Sequence, residues 1–241
     1  VVKSGSSDPD RYDADNGRTY FIDRVLQDPT QSVFTILGQH PEYSKFLELL
    51  NGDDQVFRLY EKDAEITSVF DLNTSSTSSG LGYVVRSFSN FRYTVFIPTN
   101  EAVDAAFAAD PDLHTWAEIR EQGNSAKQHE WAVHLTRFLK YHFMDNSVFI
   151  DGRPFSSMTY ETAARNSSNR FQKLSISSTG DQLQITDGKG NVAHVVKTEG
   201  LYNLQGRDFI VNNKNYRQAD QIVSSSFSAI HLIDRALLPE E

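Results

Sequence analysis

Cysteine is absent from all 241 residues, and with it go disulfide frameworks, thiolate metal sites and cysteine nucleophiles. That absence does not identify a compartment, since exported proteins without cysteine are common. No apolar run approaches the ~20 residues that a membrane-crossing helix needs. The chain opens Val1-Val2-Lys3 without an initiator methionine or a signal sequence, which reads as a fragment whose export signal or anchor lay upstream. Concentrated positive charge is missing as well. Lys and Arg number 23 against 32 Asp and Glu, for a net charge of -9. Nucleic-acid binding needs cations to neutralise phosphates, so nucleic acid is not an expected partner. The sequence also has no Gly-x-Ser-x-Gly elbow and no phosphate-cradling loop of the Walker type.

What is present suits a substantial core, with 39% hydrophobic and 12% aromatic residues in one large domain or two small ones. After a polar Ser/Asp-rich start, Thr19-Tyr20-Phe21-Ile22 reads as a short strand. From Gln31 the period is helical, with Val33, Phe34, Ile36 and Leu37 apolar. Pro41 opens a second helix that carries Phe46, Leu47, Leu49 and Leu50 and stops at Asn51-Gly52. The stretch Asn73 to Gly80 is almost all Ser and Thr and reads as an exposed loop. Tyr93-Thr94-Val95-Phe96-Ile97 predicts a strand ended by Pro98, and Thr99 or Asn100 can cap the helix after it. Trp131, Leu135, Phe138, Leu139 and Phe143 recur at helical steps and predict a long helix from Ser125 to about Phe143. Strands are then expected over Phe171–Ser177, Leu183–Thr186 and Val192–Val196, around Phe209-Ile210-Val211 and Ile222-Val223, and over Ala229–Leu237. Helices early and strands late give an α+β class.

An internal match sets the expected boundaries. Tyr20-Phe21-Ile22-Asp23-Arg24-Val25-Leu26 parallels His231-Leu232-Ile233-Asp234-Arg235-Ala236-Leu237, and a proline follows each, Pro29 and Pro239. A unit ending in Ile-Asp-Arg-x-Leu would make residues 1–30 the tail of one domain plus a linker, and 31–241 a complete second copy.

The residues of the second copy resemble the fasciclin-type domain family. Thr94 to Val103, with Pro98-Thr99-Asn100 at its centre, is similar to the family's first signature. Ile230 to Pro239 is similar to the second, and Tyr141-His142 matches the family's Tyr-His pair at the end of its long helix. The resemblance implies a β-sandwich or wedge of mostly antiparallel strands with helices packed on one side. It also implies an extracytoplasmic, non-catalytic adhesion module that binds a surface protein or polysaccharide, often in tandem copies. Thr94, Pro98, Thr99, Asn100, His231 and Asp234 are then its structural signature, with Asn100 where the family has Asp. The Ser/Thr loop and much of Asp145 to Lys197 look like insertions. These resemble the versions on bacterial surface lipoproteins, which implies an outer-membrane or other cell-surface location through an upstream lipid anchor.

Several local patterns suggest other chemistry. Gly188-Lys189-Gly190-Asn191-Val192-Ala193 fits a dinucleotide fingerprint as text, yet Val192 to Val196 reads as a strand where a helix is required, so a hairpin turn is expected. His129 and His134 lie five positions apart and point about 140° from one another on a helix, too far to share zinc easily. The acidic run Asp8, Asp10, Asp13, Asp15 lacks the spacing of a calcium loop. No metal and no cofactor are expected.

The resemblance makes Tyr141 and His142 candidate partner contacts. The alternative is that Tyr141 packs in the core and His142 bonds the turn near Thr99 or Asn100. His231 is expected to be structural. Phe149, Phe155 and Tyr160, on loops and exposed, would be natural contact residues. The competing functional readings are a small-ligand carrier or hydrolase built around His142, and a pure spacer.

Overall fold

The computed structural model describes residues 11–14, 17–20, 29–72, 83–85, 92–212 and 221–240. The Asn73 to Gly80 loop, Phe21 to Leu26 of the first repeat copy, and Asp8, Asp10 and Asp15 lie outside them. Tyr20 closes a hairpin of β1 (Arg11–Ala14) and β2 (Gly17–Tyr20).

Six α-helices are described: α1 (Val33–Gln39), α2 (Ser44–Asn51), α3 (Asp54–Leu59), α4 (Asn100–Ala109), α5 (Trp116–Glu121) and α6 (Ser125–Tyr141). A 3-10 turn over Pro41–Tyr43 leads into α2. Short polar side chains set most of the starts by accepting from the first free N–H groups: Ser32, Asp53, Thr99, Thr115 and Asn124. Helix α6 stops two residues short of the expected Phe143, which begins the next strand.

Beyond the β1–β2 hairpin and the small pair β3 (Phe70–Leu72) and β4 (Tyr83–Val85), the remaining described strands form one sheet. They are β5 (Arg92–Pro98), β6 (Phe143–Asp145), β7 (Pro154–Arg165), β8 (Phe171–Thr179), β9 (Leu183–Thr186), β10 (Val192–Val196), β11 (Leu204–Asn212) and β12 (Gln221–Ile233). Their order is β10-β9-β8-β7-β6-β5-β12-β11, and β10 also pairs with β12. The expected sandwich is therefore corrected to a closed barrel of seven strands, with β11 added beside β12. Closure rests on Val195 against Ile233 and Val196 against Leu232, which pairs the β10 edge that an open wedge would leave free.

Side-chain alternation explains the barrel wall. Leu174, Ile176, Leu183, Ile185, Ala193 and Val195 occupy alternate positions on β8, β9 and β10 and are all buried in the lumen. Ile176 faces Ile185, and Ile185 faces Ala193, so one apolar layer crosses three strands. The stretch 145–197 is thus largely barrel wall and not a set of long loops. Its 12-residue β7 went unpredicted. Asp187 to Asn191 is the hairpin turn expected there, with Asp187 accepting from the N–H groups of Lys189 and Asn191. Ile222-Val223 and Ala229 to Ile233 belong to one continuous strand.

The two signatures lie side by side. β5 and β12 pair in parallel from Phe227 against Arg92 to Ile233 against Pro98, while the other pairings are antiparallel. Both strands are buried on both faces, which is why Val95-Phe96-Ile97 and Ile230 to Ile233 read as near-continuous apolar runs. On one face Val95, Ile97, Ile230 and Leu232 join the helical core around Phe46 and Phe138. On the other, Phe96 and Ile233 enter the barrel lumen with Met144 and Tyr141.

Candidate functional site

Tyr141 and His142 end α6 against the central strands, and both are 0% exposed. The Tyr141 hydroxyl donates to the Lys173 carbonyl at 2.8 Å, and burial pushes its pKa up. Nδ1 of His142 donates to the Phe138 carbonyl at 2.8 Å, and Nε2 accepts from the Leu237 N–H at 3.0 Å. The expected partner, the turn at Thr99 and Asn100, is therefore corrected to the exit of the last strand. Burial lowers the His142 pKa to about 4, as expected where an ion would lose its hydration. Among the described residues both ring nitrogens bond backbone groups, and the side chain is fully buried. Tyr141 and His142 thus both lie inside the fold in this structure.

The remaining signature residues act as staples. The Thr94 hydroxyl donates to the Asn146 carbonyl at 2.8 Å and accepts from the Val148 N–H at 3.1 Å. His231, also fully buried, donates from Nε2 to the Val148 carbonyl at 2.8 Å and stacks on Phe96. Burial lowers its pKa to about 4. Together they hold the 146–148 segment, where Asn146 is left-handed with φ 80, over β5 and β12. Pro98 ends β5 opposite Ile233. Thr99 caps α4, while the Asn100 amide reaches across to α2. It accepts from the Lys45 N–H and donates to the Pro41 carbonyl and the Ser44 hydroxyl. Asp234, half exposed, accepts from the His194 N–H at 2.8 Å and so secures β10 to the end of β12.

Phe155 and Tyr160 are corrected from exposed loop residues to half-buried positions on β7 that pack against the lumen core. Phe149 is half-buried too. Met158, between them on β7 and 50% exposed, is the more accessible side chain. His129 and His134 diverge as expected, to Asp63 and Asp110 respectively. Among the described residues no group of three or more His, Asp or Glu side chains is placed to hold a metal ion.

Sequence reading missed two internal anchors. Asp208 on β11 is buried and accepts from the Val33 N–H, the Val85 N–H and the Tyr93 hydroxyl, and burial raises its pKa. Asp187 accepts from the Leu238 N–H, and Gln172 donates to the Glu240 carbonyl. With His142 and Asp234, these bonds fasten the chain after β12 across the barrel. The Asp187-Gly188 turn was a readable signal for Asp187. Asp208, beside Arg207 on a mixed strand, carried none.

Among the described residues the helical layer offers clefts. One of about 520 Å³ lies between α2, α4 and α5, floored by Leu49, Val103 and Trp116 with Phe107 at its side. Trp116 is fixed there by Nε1–H to the Leu49 carbonyl at 2.7 Å. A second hollow of about 860 Å³ adjoins it and shares Gly52, Asp53 and Arg120.

The family model described as the fasciclin domain matches residues 55–239. Comparison with curated proteins returned no match. Among solved structures the chain is similar to a FAS1 domain pair from the insect cell adhesion molecule Fasciclin I, with 14% identity, a TM-score of 0.41 and 94% of this chain covered. It spans 57% of the length of that chain.

Proposed function

Because the chain belongs to the fasciclin domain family, we propose that it is a non-catalytic interaction module, displayed outside the cytoplasm, that binds a protein or glycan partner. Family membership is the observation that carries this reading. The inward use of the polar signature groups supports it. Thr94, His142 and His231 are each spent on backbone partners inside the fold, which leaves recognition to the outer surface. In this reading Tyr141 and His142 hold the scaffold that presents the contacts. Phe149, Phe155 and Tyr160, with Met158 beside them on β7, supply aromatic and apolar contact area of the kind that sugars and protein hot spots use.

The unit runs from residue 31 in this proposal, with residues 1–30 closing a preceding copy on a lipid-anchored surface protein. Val33, Ile36 and Leu37 of α1 share one core with the strands of the matched region, which favours a start before residue 55. A chain cut to residues 31–241 should then unfold with undiminished cooperativity. A loss of cooperativity would move the boundary.

The test of function is a glycan-array and surface-protein screen with beads carrying the whole chain, beside a Phe155→Ala/Met158→Ala/Tyr160→Ala variant of matching circular dichroism. Specific capture reduced in the variant supports the module and its β7 contacts. Capture unchanged in the variant removes those contacts. No specific capture at all leaves the spacer reading in its place.

A further inference from the structure

We propose that the cleft between α2, α4 and α5 is a docking site for a peptide segment of a partner protein that presents one large apolar side chain next to a basic residue. The inference rests on the interaction-module reading and gives that module a second, separate surface. Its volume, about 520 Å³, falls in the range of sites that enclose a ligand, and its floor is apolar with polar groups confined to the rim. The floor is rigid. Trp116 is held by its indole bond to Leu49 and meets the edge of Phe57 at 5.1 Å, so little order has to be gained when a side chain enters.

Charge decides the class of peptide. The rim is bridged by two ion pairs, Lys45 with Asp104 and Arg120 with Asp53, which neutralise both of its cations. Glu48 lies on the same rim, and among the described residues no cation is within ion-pair distance of it. An incoming Lys or Arg beside the apolar anchor gains a partner there. An incoming Asp or Glu meets Glu48 inside the field of a chain with a net charge of -9.

The experiment uses the full chain and short fluorescein-labelled peptides with a central Trp flanked by Lys, Ser or Glu, read by fluorescence polarisation. The Lys-flanked Trp peptide should bind about tenfold tighter than the Glu-flanked one, and replacing its Trp by Ser should abolish binding. Ala117 is exposed and lines the cleft, so Ala117→Trp fills the space without entering the core and should remove binding. Glu48→Lys should invert the order of the Lys and Glu peptides.

Equal affinity for the two flanks, or binding untouched by Ala117→Trp, overturns the proposal. So does binding of an apolar dye with no peptide binding, which would make the cleft a small-molecule site. A dimer that Ala117→Trp dissolves would assign it to a second copy of the chain and overturn it equally. Bead capture that persists in Ala117→Trp while no peptide binds defeats this inference and leaves the module reading standing. Tight Lys-peptide binding with no capture in the screen does the reverse.

Discussion

The backbone N–H of Leu237 donates to Nε2 of His142, 95 positions earlier in the chain, at 3.0 Å. On the other side of the ring Nδ1 donates to Phe138, so the two bonds together require the neutral tautomer with its proton on Nδ1. A second proton would set Nε2–H against the Leu237 N–H in a site without solvent. His231 is buried in the same way, with Nε2 donating to Val148.

These two rings predict an acid-sensitive fold. Each has a folded pKa of about 4 against an ordinary 6.5, so the unfolded chain takes up the proton first. The stability they contribute is present above pH 6.5 and is lost as pH falls from there toward 4. The full loss is about 3 kcal/mol per histidine. Asp208, whose pKa is raised, acts oppositely above its ordinary value and offsets part of the slope. Urea midpoints should fall steadily between pH 7 and 5, and His231→Gln, which keeps a donor for Val148, should roughly halve that dependence. A flat profile over this range would contradict the assignment of both rings as neutral.

Thr94→Val should loosen the 146–148 segment. Valine keeps the shape but leaves the Asn146 carbonyl and the buried Val148 N–H without their partner, at a cost of about 1–3 kcal/mol. Hydrogen exchange should speed up at Val148 before it does on β9 and β10. Uniform exchange across the barrel would mean that Thr94 supports the whole fold and not this staple.

Local signals carried the helical half of the molecule. Thr99 after Pro98 marks the start of α4, and Gly52 marks the stop of α2, because caps and left-handed stops need nothing from distant residues. Thr115-Trp116-Ala117-Glu118 is a complete capping box, and it could have disclosed α5, which is too short to show a period. The two signature strands were legible for a different reason, since burial on both faces makes them continuously apolar. Barrel closure was not legible. It depends on Val195 meeting Ile233, a pairing no local pattern specifies. β7 escaped because Ser156, Ser157, Thr159 and Glu161 are exposed and its register shifts after Phe155 and after Glu161, which breaks the alternation that reveals a strand. The partner of His142 was misplaced on the same grounds, since only the closed barrel brings Leu237 to it.

Asn100→Asp, which restores the family's usual residue, should destabilise this chain. The Asn100 amide donates to Pro41 and Ser44 while its oxygen accepts from the Lys45 N–H. A carboxylate keeps only the last of these and sets its charge beside the Pro41 carbonyl. The site is exposed, which limits the cost to about 1 kcal/mol. Denaturant midpoints should rank the natural chain above Asn100→Asp, with Asn100→Ala no better. A gain from Asp would show that Asn100 is not what positions α2.

Gly52→Ala tests the wall shared by the two clefts. Gly52 is left-handed, with φ +74, and an added Cβ would overlap the ring of Phe57. The backbone penalty is about 1 kcal/mol, and displacing a packed ring adds about 1–3 more. Phe57 in turn packs edge-on against Trp116, so Trp116 fluorescence should shift along with the loss of stability. In Gly52→Ala/Phe57→Leu the smaller side chain relieves the overlap, and the steric part of the loss should return while the backbone part remains. If the double variant is instead less stable than Gly52→Ala, the Phe57 contact stabilises the wall more than the clash strains it. The glycine would then be needed for its backbone conformation and not for the room it leaves.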